Sequence, residues 1–230
     1  MKISIVIPVY NEASTIALVI EKVRALAFGP GVEKEIIVVN DGSTDGTREA
    51  LQPFEGVPGL RVHQSRVNLG KGSSVRLGFS YATGDIVTIQ DADLELDPIE
   101  YIKLIQPIVD GEADVVYGSR FLDGGRKGTL TFYLANRGLA ALTNVLFRGH
   151  LTDIETCYKV LSRHVLDTVK LRASRFEIEP ELTAQVLKHG FRLRELPIAY
   201  NPRSKAEGKK ISWRDGLDAV RMLIAQRLQK

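Results

Sequence analysis

Three runs rich in β-branched residues, and one short mixed run, alternate with segments of helical spacing over roughly the first ninety positions, and this constrains the fold most. Ile3 to Val9 is almost continuous in Ile and Val, as suits a strand buried on both faces. Ile16, Val19, Ile20, Val23 and Leu26 then recur at helical spacing, until Gly29-Pro30-Gly31 breaks the pattern. Glu35 to Val39 is a second strand, followed by a helix through Leu51. Leu60 to His63 is a short third strand. A helix of small residues ends near Ala82, and Ile86 to Ile89 is a fourth strand. Such alternation predicts an α/β fold with a mostly parallel central sheet and helices on both faces. It also sets three polar loops, at Tyr10, Asp41 and Asp91, on the carboxyl edge of the sheet, where open α/β folds bind ligands.

The second half is less regular. Tyr101 to Val109 reads as a helix and Asp114 to Tyr117 as a strand ending in Gly118-Ser119-Arg120. Asp123 to Gly128 is a glycine-rich basic loop, and Thr131 to Phe147 an amphipathic helix carrying Asn136-Arg137. Tyr158 to Leu161 is a candidate strand, Pro180 to His189 a helix and Arg192 to Tyr200 a strand. Asn201 to Lys210 is basic, and Trp213 to Leu228 forms a last amphipathic helix with Arg214, Arg221, Arg227 and Lys230 largely off its apolar face. No repeat or clear linker divides the 230 residues, so one domain is expected.

At 44% hydrophobic residues the chain can build a sizeable core, and a net charge of +3 demands no nucleic-acid partner. Cys157 is the only cysteine, which excludes an internal disulfide and suits a reducing cytosol. The N-terminus enters a strand without a secretory signal, and no apolar run approaches the ~20 residues of a membrane span. Any work on lipid is therefore expected from the membrane surface. The apolar faces of the two long helices suit that role, and core packing or a homo-oligomer interface would give the same pattern.

The fourth strand ends in carboxylates at every second position: Asp91, Asp93, Glu95 and Asp97. Asp91, Asp93 and Glu95 suit a hard cation, Mg²⁺ or Mn²⁺, which prefers oxygen ligands and binds together with substrate phosphates. A calcium loop of the EF-hand type is excluded: its sixth position would be Leu96 and its twelfth Ile102. Acids at a helix N-terminus would account for Glu95 and Asp97, but poorly for Asp91 and Asp93. Neither a dinucleotide fingerprint nor a Walker A sequence occurs. Asn40 to Thr47 reads equally as a helix cap and as a loop in which Asp41 meets a nucleotide.

The ordered set Pro8-Val9-Tyr10-Asn11-Glu12, Asn40 to Thr47, Asn68-Leu69-Gly70-Lys71-Gly72 and Asp91-Ala92-Asp93-Leu94 resembles the family-2 glycosyltransferases of GT-A fold. Gly118-Ser119-Arg120, Asn136-Arg137, Asp153 to Lys159 and Arg203 to Trp213 resemble the branch of dolichyl- or polyprenyl-phosphate sugar synthases. Asn40 and Glu95 depart from the common pattern, where a second aspartate and a glutamine occur. The resemblance implies a nucleotide-sugar half (1–97), an acceptor half with a lid (98–211) and a C-terminal helix (212–230). It implies a nucleoside-diphosphate sugar at Pro8, Tyr10, Glu12, Asp41, Lys71, Asp91 and Ala92, with metal at Asp91, Asp93 and Glu95. Arg203 and Lys205 would cover the diphosphate. Arg120, Arg137 and the basic Arg126 and Lys127 would hold a polyprenyl phosphate at the cytoplasmic membrane face.

A phosphate acceptor is already an anion and needs no base. A sugar hydroxyl acceptor, the alternative within the family, needs one, for which Asp153, Glu155, Glu177 and Glu179 are candidates. A non-catalytic nucleotide-sugar-binding protein is the alternative of another class. The catalytic set expected under the leading reading is Asp93, Arg120, Arg137 and Asp153. His63, His150, His164 and His189 lack metal-ligand spacing, and Cys157 reads as a packed side chain.

Overall fold

The computed structural model describes residues 1–124, 128–203 and 213–229. Its first half runs β1 (Lys2–Val9), α1 (Ile16–Ala25), β2 (Glu33–Asn40), α2 (Thr47–Leu51), β3 (Leu60–Gln64), α3 (Lys71–Tyr81) and β4 (Ile86–Ile89). Then follow α4 (Tyr101–Leu104), α5 (Gln106–Val109), β5 (Val115–Ser119), α6 (Leu130–Phe147), β6 (Lys159–Ser162) and α7 (Arg163–Thr168). The chain closes with α8 (Ile178–Lys188), β7 (Leu193–Pro197) and α9 (Trp213–Leu228).

All seven strands share one sheet in the order β3-β2-β1-β4-β6-β5-β7. β1 pairs in parallel with both β2 and β4. The chain therefore leaves β1 toward one side for β2 and β3, then returns to the other side for β4. Ligands of open α/β sheets bind at such a reversal. Val9 and Ile89 end the two strands that flank it, which sends Tyr10 and Asp91 over the same edge.

The sheet is mostly parallel, as expected, and two details go beyond the sequence reading. β6 runs antiparallel to both neighbours, because residues 148–158 return from α6 across the site edge before the strand begins. The helix expected over Tyr101 to Val109 is two short helices meeting at Ile105, where Pro107 cannot donate the backbone bond a continuous helix needs. Elsewhere the β-branched runs are the core: Ile3, Ile5, Val6 and Ile7 are fully buried, as are Val38, Val39, Val87 and Ile89.

α3 lies directly on β1, and Gly78 makes the approach possible. A Cβ there would sit 2.2 Å from Val6 Cγ1. Gly78→Ala should destabilise the fold by about 1–3 kcal/mol, read as a lowered denaturant midpoint with unchanged slope. An unchanged midpoint would mean that α3 packs farther from the sheet.

Candidate functional site

A cavity of about 450 Å³ opens at the carboxyl edge above the β1/β4 reversal. Pro8, Tyr10, Glu12 and Asp41 line one end, Asp91, Ala92, Asp93 and Glu95 the middle, and Arg120 and Tyr200 the other, with Glu155 between Arg120 and Glu179. Its volume lies in the range of small-molecule sites.

At the first end the loops are stitched together by side chains. Asp41 accepts the N–H groups of Leu69 at 2.9 Å and Gly70 at 2.7 Å, joining the loop after β2 to the loop before α3. Gly70 has φ +96°, and a Cβ on it would meet the Ser174 carbonyl oxygen at 2.3 Å. That turn starts α3 and delivers Lys71 into the site. Asn40, instead of an aspartate, donates to Gln64 at 2.7 Å and accepts Ser43 Oγ at 2.6 Å, so an amide meets both needs. Thr47 Oγ1 receives the Glu12 N–H at 2.9 Å and donates to Asp45 at 2.5 Å. Gly46 precedes α2 and caps it with no side chain, so the polar residues of Asn40 to Thr47 brace the neighbouring loops instead, and Asp41 faces the cavity.

In the middle, strand alternation does not arrange the carboxylates, because β4 has ended at Ile89. Leu94 adopts φ +60°, a sparsely populated conformation for a branched side chain, and Asp93 Oδ1 accepts the Glu95 N–H at 3.1 Å. Strained backbone of this kind is concentrated at functional sites. Lys71 Nζ lies 2.8 Å from Asp91 and 3.1 Å from Glu179. Arg203 reaches across the cavity to Glu12 at 3.1 Å, Asp93 at 3.2 Å and Glu95 at 3.8 Å.

Among the described residues no three His, Cys, Asp or Glu side chains converge as a metal-binding group. Asp91 is drawn to Lys71, and Asp93 and Glu95 to Arg203. The donor set nevertheless fits a hard divalent ion. Burial, then the neighbouring Asp91 and Glu95, push Asp93 up to about 6 in spite of Arg203. A carboxylate cluster with that much self-repulsion favours added positive charge. Burial also opposes ionisation of Asp91 and Lys71. Their mutual attraction prevails, holding Asp91 below the usual carboxylate range and Lys71 well above the usual amine range.

At the far end Arg120 follows β5 and is buried. It donates from Nε and Nη2 to Asp153 at 2.7 and 2.8 Å, and from Nη2 to Asn136 at 3.3 Å. Its guanidinium also lies over the Phe132 and Tyr200 rings at 5.5 and 5.2 Å. Asp153 is fully buried and committed to Arg120, so it is no free base. Glu179 pairs at 2.5 Å with Lys159, itself fully buried, and Glu177 caps the turn at Ser174 and Arg175. Cys157 is packed, as expected, and lines the cavity floor.

Arg137 is not brought into the cavity. It is exposed and makes one long bond, 3.4 Å, to the Thr152 carbonyl. Its neighbour Asn136 turns inward instead. The helical period held the signal, since Asn136, Ala140 and Thr143 form the buried stripe of α6. Arg126, Lys127, Lys205, Lys209 and Lys210 lie outside the described residues. Lys159 and Tyr200 were missed. Nothing local marks a lysine opening a strand as buried, and Tyr200 follows a strand that reaches the site only through the β5–β7 pairing.

Comparison with known proteins then decides the family. The model for Glycosyl transferase family 2 matches residues 4–170, most of the sheet and both sides of the cavity. The chain belongs to glycosyltransferase family 2. The chain is 31% identical over 216 residues to a dolichol-phosphate mannosyltransferase of Pyrococcus furiosus, covering 91% of this chain and 59% of the relative. It is 29% identical to an undecaprenyl-phosphate 4-deoxy-4-formamido-L-arabinose transferase of Aeromonas hydrophila, covering 90% and 62%. The chain thus spans about three fifths of the length of these curated relatives. Among solved structures, glucosyl-3-phosphoglycerate synthase of Mycobacterium tuberculosis, bound to Mn²⁺, UDP and phosphoglyceric acid, superposes with a TM-score of 0.76. That match has 24% identity and covers 100% of this chain and 79% of the other, and it establishes the shared GT-A fold.

Proposed function

We propose that this glycosyltransferase moves a hexose, with inversion, from a UDP- or GDP-sugar to a polyprenyl phosphate. The observation that carries this reading is one cavity with a carboxylate cluster at its centre and a buried, rigidly held arginine at its far end. The relatives named for dolichol- and undecaprenyl-phosphate support the acceptor, and the neighbour solved with Mn²⁺ and UDP supports the donor and a divalent ion.

In this reading residues 1–97 hold the donor and 98–211 the acceptor. Pro8, Tyr10, Glu12 and Asp41 receive the nucleoside, and Asp91, Asp93 and Glu95 hold Mg²⁺ or Mn²⁺. The ion, when bound, supplies Lewis-acid neutralisation of the diphosphate. Lys71 and Arg203 add fixed positive charge beside the diphosphate. Arg203 must first leave the carboxylates it now bridges, and Lys205 would extend the same cover. Arg120 orients the acceptor phosphate, which is already anionic and needs no protein base. A phosphate oxygen bonds to the anomeric carbon as the bond from that carbon to the nucleoside diphosphate breaks.

No helix among the described residues is long and apolar enough to cross a membrane. Leu130, Leu134 and Val145 on α6 and Leu217, Ile224 and Leu228 on α9 are exposed. With Arg221 and Arg227 nearby on α9, they suit peripheral contact with an anionic, cytoplasmic membrane face.

The test is a panel of labelled UDP- and GDP-sugars with Mn²⁺, presented with polyprenyl phosphate in anionic vesicles or with free sugars. The expected result is one donor giving metal-dependent, lipid-extractable label, with the protein sedimenting with the vesicles. Label only on free sugars would overturn the acceptor assignment. No turnover of any donor would leave a binding protein.

A further inference from the structure

We infer that Glu155 recognises a hydroxyl of the transferred sugar and so helps to select the donor. The inference rests on the proposed reading of the cavity as a nucleotide-sugar site. The other carboxylates that line the cavity have partners. Glu12, Asp93 and Glu95 have Arg203, Asp91 has Lys71, and Glu179 has Lys159 and Lys71. Asp41 has two backbone N–H groups. Glu155 makes no hydrogen bond or ion pair among the described residues, although it lines the cavity and its Oε1 is shut from solvent. A buried polar atom without a partner costs about 1–3 kcal/mol, and an incoming polar group that satisfies it recovers that cost.

Place and charge together indicate which group that is. The groups acting on Glu155 are Lys159, Glu179, Arg120 and Asp153. Arg120 marks the acceptor end, and Glu179 joins the donor end through Lys71 and Asp91. Between a leaving diphosphate and an attacking phosphate lies the sugar. Lys159 and Arg120 favour the ionised form of Glu155, but each is already paired, Arg120 with Asp153 and Lys159 with Glu179, and Asp153 and Glu179 oppose them. Burial above all pushes Glu155 up to about 7. A carboxyl poised in this way both donates to and accepts from a hydroxyl, and the ionised form would repel a phosphate.

The experiment is calorimetric titration of the full chain with Mn²⁺ and UDP, GDP, UDP-glucose or GDP-mannose, followed by deoxy-sugar versions of whichever binds. Glu155→Ala should weaken the sugar nucleotide about tenfold while the matching nucleoside diphosphate changes less than about twofold. Glu155→Gln, which keeps a donor and an acceptor, should lose less. The Glu155→Ala penalty should vanish for the one deoxy analogue lacking the recognised hydroxyl. An equal penalty on the nucleoside diphosphate alone, a penalty on every deoxy analogue, or none at all overturns the assignment and leaves the donor site standing. If neither UDP nor GDP binds the wild type, the donor reading and this inference fall together.

Discussion

Asp93→Asn should reduce sugar transfer on the order of 10³-fold while making the metal-free protein more stable. Asp93 is the most strained member of the carboxylate cluster. It is largely buried, lies beside Asp91 and Glu95, and is pushed from 3.8 up to about 6 with Arg203 only 3.2 Å away. A carboxyl whose folded pKa is raised is best tolerated protonated. Its contribution to stability falls as pH rises from the unfolded value toward about 6, and at pH 7 the full cost is present. An amide removes that cost, on the order of 1–3 kcal/mol, and leaves Arg203 its contacts with Glu12 and Glu95. The same replacement removes an anionic ligand from the expected metal site, where several kcal/mol of transition-state stabilisation is at stake. Two readings check it: the thermal midpoint without metal should rise, and the stabilisation that Mn²⁺ gives the wild type should shrink. A lower metal-free midpoint would mean that the cluster is compensated, and retained transfer would remove Asp93 from the catalytic set.

This opposition of stability and function also explains what the sequence could disclose. Strands buried on both faces announce themselves through runs such as Ile3–Val9, because a central parallel strand tolerates little else. The loops at Tyr10, Asp41 and Asp91 followed from topology, since strands ending in parallel must discharge their loops on one edge. The contacts were less legible, because they join distant positions through long side chains. Glu12 and Arg203 lie 191 positions apart and meet because β7 returns beside β5. The turn at Leu94 has no glycine to announce it, so the every-second-position spacing of the acids did not disclose how they are arranged. Adjacent residues on α6 carried opposite fates. Arg137 looked like the functional half of Asn136-Arg137, and the helical stripe gave the interior to Asn136.

Arg120→Met should unfold the protein more readily by about 3–5 kcal/mol, because it strands a fully buried Asp153 without its counter-ion. Loss of transfer in that variant alone would therefore say little about chemistry. The double variant Arg120→Met, Asp153→Leu separates the two roles. Replacing both members of a buried pair by apolar groups recovers much of the stability lost when only one is removed. Recovery should be partial here, because Asp153 also accepts the Arg120 backbone N–H at 3.1 Å. If Arg120 orients the acceptor phosphate, the double variant regains folding and stays inactive toward polyprenyl phosphate, while its affinity for the donor stays within about twofold of the wild type. If the pair only braces the residue 148–158 segment, transfer returns together with the thermal midpoint. Arg137→Ala supplies the contrast. Its side chain is exposed and holds one 3.4 Å contact, so stability should change by no more than about 0.5 kcal/mol. Any loss of transfer there reports on the acceptor directly, and the absence of loss assigns the acceptor phosphate to Arg120 without it.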